Sequence, residues 1–140
     1  MTGTSRAQLA GTLVTVAVTA AVIAGIYVLG SPLEERARRL DERRVEDLSG
    51  ISQAIDVYWT RQSTLPASLD RLRPETGASV TVADPVTGAP YEYRTLEGGN
   101  YELCASFEGE SRETAGRLTA GFWTHRAGRQ CFQREAKAIR

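Results

Sequence analysis

Cys104, Cys131 and His125 are the residues whose types could do chemistry in this chain, and three outcomes are open to them. The thiols could form a disulfide, could ligate a metal together with the lone histidine, or could leave Cys104 free as a nucleophile activated by His125. Closing the 27-residue separation between them stabilises by roughly 3–4 kcal/mol in the chain-entropy model, a large share of a small domain's stability. A zinc site needs about four ligands, and beyond the thiols only His125 is available, six residues before Cys131. The disulfide is therefore the expected state. His125 is expected to pack between Trp123 and a hairpin, or to bond a backbone carbonyl.

Carboxylates supply the second set. Asp84 with Glu92 could approach a calcium ion, but two carboxylates fall short of the roughly six to eight oxygens that calcium takes. Asp84, Pro85 and Gly88 serve a turn more directly: an Asp that bonds the backbone ahead, a Pro that presets φ, and a Gly free for positive φ. Glu42, Glu46 and Asp47 fall on a solvated helix face, where nothing desolvates them for acid–base work. The chain has no glycine-rich phosphate loop and no Ser-His-Asp spacing. Its 17 basic and 17 acidic residues give zero net charge, without the basic stripe that nucleic acid requires. A non-enzyme without cofactor or metal is expected.

The elements that must position these residues begin after a short polar tail, residues 1–8. Leu9–Gly30 then runs for 22 residues without one charge. At about 1.5 Å per residue such a helix covers roughly 33 Å, close to the ~30 Å hydrocarbon core of a bilayer. It also exceeds the about 7–15 apolar residues of a cleaved signal, so residues 9–30 are expected to stay as a membrane anchor. Gly11 and Gly25 would permit close helix approach, but no Gly-x-x-x-Gly pair occurs inside the span.

Residues 31–62 read as one amphipathic helix with Ser31 as N-cap and Pro32 at its first position. Leu33, Ala37, Leu40, Leu48, Ile51, Ile55 and Tyr58 form its apolar stripe. Opposite charges at Glu34 and Arg38, Glu35 and Arg39, Arg38 and Glu42, and Arg43 and Asp47 would keep the first half a solvated stalk. Residues 63–134 are expected to form a small head. Within it, Leu65–Leu72 is a helical turn, Ser79–Ala83 a strand, and Tyr91–Leu96 with Tyr101–Phe107 a hairpin. The second hairpin strand turns Tyr101, Leu103, Ala105 and Phe107 to the helix and Cys104 away from it. Glu108–Ala120 is expected to be the most mobile loop. Gly121–Phe132 would make two extended pieces about Ala127-Gly128, lying over the hairpin and bringing Cys131 to Cys104. Residues 135–140 are a loose tail. Tyr58, Trp59, Tyr91, Tyr93, Tyr101 and Trp123, with His125, mark either the core or an interaction face.

Several strings together carry a resemblance: Asp41-Glu42-Arg43-Arg44-Val45-x-Asp47-Leu48, Ile55-x-x-Tyr58-Trp59, Leu65-Pro66-x-x-Leu69, Asp84-Pro85-x-Thr87-Gly88-x-x-Tyr91-Glu92-Tyr93, Glu102-Leu103-Cys104-Ala105-x-Phe107 and Trp123-x-His125-x-Ala127-Gly128-x-x-Cys131-Phe132. As a set they resemble the soluble domain that follows a transmembrane helix in uncharacterised bacterial single-pass membrane proteins. More remotely, the long helix, Leu-Pro link, Asp-Pro-x-Thr-Gly loop and antiparallel hairpin resemble the major pseudopilins of type II secretion. Pilin processing acts at a Gly with Glu at the fifth position after it. Gly3 is followed at that place by Gln8, and Gly11 by Val16. The resemblance implies an α+β fold with a pilin-like head and no known activity.

Which side of the membrane the head occupies is contested within the sequence. Arg36, Arg38, Arg39, Arg43 and Arg44 follow the anchor and only Arg6 precedes it, which favours a cytoplasmic head. The cysteine pair favours an oxidising compartment and is given the greater weight. The expected protein is a single-pass component of the bacterial inner membrane with an extracytoplasmic head. Its expected partners are lipid, other envelope proteins or a second copy of itself, with a sensor or ligand-binding subunit using the aromatic face as the alternative.

Overall fold

The computed structural model describes residues 5–29, 31–72, 80–111 and 121–139. They fall into two compact units, one ending at Arg36 and one beginning at Ala37.

In the first unit, helix α1 spans Arg6–Leu29. It starts earlier than the expected tail allows, because Ser5 and Gln8 make half of a capping box: the Ser5 amide donates to Gln8 Oε1 at 3.2 Å. Leu13, Val16, Val18 and Ile23 are all more than half exposed, on different sides of the helix. Thr12, Thr15 and Thr19 interrupt the apolar surface, yet each hydroxyl donates to a carbonyl one turn back, at 2.8, 2.9 and 2.8 Å. A polar group that must live in hydrocarbon needs such an internal partner. Tyr27, 86% exposed, sits near the C-terminal end, where interfacial aromatics collect. One long apolar helix that could span a membrane is therefore present.

Helix α2 spans Pro32–Gln62, with Ser31 as its N-cap: the Leu33 amide donates to Ser31 Oγ. Its last turn closes on Ser63, whose amide donates to Trp59 O and whose φ of 54° lies in the left-handed region.

The second unit is an α+β arrangement of α2 from Ala37 onward and a three-stranded antiparallel sheet. Strands β1 (Glu92–Thr95), β2 (Asn100–Phe107) and β3 (Gly128–Glu135) lie in the order β1-β2-β3. Alternation sets which face of β2 is inward. Tyr101, Leu103, Ala105 and Phe107 are buried with Leu48, Ile51, Ala54 and Ile55 of α2 and with Phe132 of β3. Each such large side chain contributes about 1.5–3 kcal/mol by leaving water. Within this core Ser52 Oγ and Tyr101 Oη share a hydrogen bond of 2.8 Å.

Three expectations need correction. Ala83 makes only an isolated bridge to Pro90, so residues 80–83 are not a strand, and Ser79 lies outside the described residues. The segment containing Cys131 does not lie over the hairpin. Instead β3 joins the sheet edge-on to β2, because eight consecutive pairs satisfy its backbone. The expectation for the loop 108–120 falls mostly outside the described residues, at 112–120; within them the Glu108 and Gly109 amides donate to Asp41. The C-terminal segment is not loose. Ala136 is buried, and the amides of Lys137 and Ile139 donate to Asp56 Oδ1 and Thr60 Oγ1 of α2, both at 2.9 Å.

The β1–β2 turn rests on Trp59: Gly99 has a φ of 80°, and a Cβ there would meet the indole at 3.0 Å. Gly99→Ala is expected to destabilise the head by about 1–3 kcal/mol, through backbone strain and displacement of Trp59. Urea unfolding followed by tryptophan fluorescence checks this.

Candidate functional site

Arg44 occupies the centre of the buried polar groups, with only 3% of its surface exposed. One turn back on α2, Asp41 Oδ1 accepts from its Nη1 at 2.8 Å, and Asp84 Oδ2 accepts from its Nε at 2.6 Å. Glu108 stands 3.7 Å away on the rim. Each acid has further duties. Asp41 accepts from the Glu108 and Gly109 amides, while Asp84 Oδ1 accepts from the Val86 and Thr87 amides at 2.9 Å. One guanidinium thus joins α2 to two separate turns.

This arrangement places the expected turn residues as read. Asp84 caps the turn, Pro85 follows it, and Gly88 at φ 68° returns its amide to Asp84 O at 2.9 Å. Burial alone would raise the Asp84 pKa. The Arg44 and amide hydrogen bonds outweigh that and hold it down at about 2. Asp84 and Glu92 do not come together as a cation site, since Glu92 accepts from Arg129 Nε at 2.9 Å and Nη2 at 2.7 Å. Asp47, expected to be solvated, is half-buried and accepts from Tyr91 Oη at 2.8 Å. Desolvation raises its pKa despite that bond.

The expected aromatic set is largely core. Tyr91, Tyr101, Trp123 and His125 are buried, and Tyr58, Trp59 and Tyr93 pack against the same cluster. Tyr93 Oη donates to the Pro66 carbonyl at 3.0 Å. His125 stacks on Phe107 with ring centroids 3.7 Å apart. Its Nδ1 lies 3.0 Å from Trp123 O, and since a carbonyl only accepts, Nδ1 carries the proton. Of the two readings for His125, the carbonyl partner is present, and its ring packs on Phe107 of the hairpin. Beside it, Phe122 is half exposed and Arg134 lies over its ring at 5.0 Å.

Cys104 and Cys131 are bonded as a disulfide between directly opposed positions of β2 and β3. The bridge lies on the sheet face turned away from α2, with Cys131 exposed and Cys104 buried. Around Cys104, Glu92, Arg94, Glu102 and Arg129 line a shallow depression of about 50 Å³, room for a water or two but not for an organic ligand. Glu102 with the two sulfurs is the one cluster of metal-ligating types among the described residues, and the disulfide withholds both thiolates from it.

Sequence reasoning missed Asp41 and Arg44 as buried groups. The signal was the i, i+3 spacing of an acid and an arginine beside the apolar stripe, a pattern shared with ordinary solvated pairs. Comparison with protein-family models, with curated proteins and with solved structures gave no match.

Arg44→Met is expected to cost about 3–5 kcal/mol, because it leaves two buried carboxylates without their cation. Loss or early onset of the urea transition checks it. Asp84 is depressed in the fold, so its stabilisation is full above pH 4 and disappears as pH falls towards 2. The stability difference between the native chain and Asp84→Asn, measured by urea unfolding at successive pH values, should shrink across that interval.

Proposed function

We propose that this chain is a single-pass protein of the bacterial inner membrane. In this reading α1 is the anchor, and a pilin-like α+β head works outside the cytoplasm through protein contacts rather than catalysis. The observation that carries the reading is α1, apolar on all sides and with its three threonine hydroxyls turned back onto its own carbonyls. An apolar surface of that length is costly in water, and hydrocarbon favours hydroxyls paired within their own helix.

The disulfide supports an oxidising compartment for the head. One of the five arginines that argued the other way, Arg44, serves the fold by neutralising Asp41 and Asp84. A long helix followed by an antiparallel β1-β2-β3 meander agrees with the pilin-like resemblance. Contact rather than chemistry is supported by the engagement of the head's groups. His125 is stacked and bonded, Asp41 and Asp84 neutralise Arg44, and the cysteines are joined. The alternative, a ligand-binding subunit using the aromatic face, would have to work through the partly exposed Tyr58, Trp59 and Tyr93, since Tyr91, Tyr101 and Trp123 are buried.

Bacteria expressing the full chain provide the test. The protein should stay with membranes through an alkaline carbonate wash, and protease added to spheroplasts should remove the head while sparing a cytoplasmic marker. Release by carbonate would overturn the anchor, and a head protected until lysis would reverse the topology.

A further inference from the structure

The outer face of the sheet has a feature that stapling two strands does not need. Arg129 reaches from β3 across β2 to β1, where Glu92 grips it through two hydrogen bonds of 2.9 and 2.7 Å. The reach carries its guanidinium over the disulfide, with Nη2 3.5 Å from Cys104 Sγ. Paired guanidinium and carboxylate groups on an exposed face add little to stability, so the position of this one calls for another reason. The same sulfur has Glu102 Oε2 at 3.9 Å, a carboxylate itself held by Gln133 Nε2 at 3.3 Å. Its sulfur partner, Cys131, is the exposed half of the bridge, and the depression beside Cys104 is too small for anything but water.

We infer that Cys104–Cys131 is a reversible thiol–disulfide exchange site: a dithiol reductant attacks the exposed Cys131 sulfur, and Cys104 departs as a thiolate beneath the Arg129 guanidinium. In the first step a reductant thiolate forms a bond to Cys131 Sγ while the Cys104–Cys131 bond breaks, its electron pair leaving on Cys104. The second reductant thiol, once deprotonated, attacks its own sulfur in the mixed disulfide and releases Cys131 as a thiolate. The reductant ends as a disulfide, two electrons having passed to the cysteines, and its two protons are taken up by the thiolates. Arg129 assists because a leaving thiolate is stabilised by an adjacent cation, which lowers its pKa and speeds departure. Arg129 and Glu92 are positioning residues. The β2–β3 ladder of eight pairs, the hydrophobic core and the Arg44 network are the contacts that would have to hold the reduced head together once the bridge's contribution is lost. The inference concerns residues of the second unit and stands whether or not α1 lies in a membrane.

The test uses the full chain in detergent micelles with dithiothreitol as the reductant. Maleimide gel shifts follow the thiols, and far-UV circular dichroism follows the fold. Expected is complete reduction at neutral pH without denaturant, an unchanged spectrum, and re-formation of the bridge with oxidised dithiothreitol. Arg129→Gln should slow reduction about threefold or more. In Cys131→Ser, the Cys104 thiol faces Arg129, Glu102, Glu92 and Arg94, and its pKa should rise when Arg129→Gln is added. A purely structural bridge would not show that rise. The inference is overturned if reduction needs denaturant or collapses the spectrum, or if Arg129→Gln reacts at the native rate with the Cys104 pKa unmoved.

Discussion

A single buried guanidinium holds the head's irregular parts in place. Helix α2 and the sheet can meet through apolar contacts alone, but the turns at 84–88 and 108–109 carry little hydrophobic surface to fix them. Arg44 supplies the fixed point, because each of its two acids also accepts backbone amides from one of those turns. The turns are thereby located by charge-assisted bonds in a low-dielectric setting, where breaking one partner is far more costly than in water.

A second set of bonds acts at the other end of α2. Asp56 and Thr60, one turn apart, accept from Lys137 and Ile139, two residues apart in an extended segment. The helical rise over four residues and the extended rise over two are about 6 and 7 Å, close enough for both bonds to form together. Ala136 reinforces this by donating its amide to Gly99 O in the turn that rests on Trp59. Between Asp41 and Thr60, helix α2 is thus held by polar contacts on either side of the apolar stretch Leu48, Ile51 and Ile55.

What the sequence disclosed follows from how each element is encoded. Composition and length expose α1, and alternation exposes the inward face of β2, because both signals reside in side-chain type. Ser31-Pro32 and Asp84-Pro85 were legible because their chemistry is local. The buried state of Asp41 and Arg44 was not, since an acid and an arginine three residues apart look alike whether water or a distant turn covers them. Nor was the place of β3 beside β2, which is fixed by backbone pairing across an intervening loop. The docking of the C-terminal segment was hidden for a related reason: its donors are main-chain amides, common to nearly every residue.

Helix α1 carries one more consequence. With its hydroxyls folded inward and apolar side chains all round, its flank offers a neighbour nothing but carbon relief between Tyr27 and the N-terminal turn. A second helix laid alongside it would find the hydroxyl donors of Thr12, Thr15 and Thr19 already engaged, and would choose its azimuth mainly by fitting bulky branched side chains against the hollows at Gly11 and Gly25. Steric relief alone would then decide which company this helix keeps.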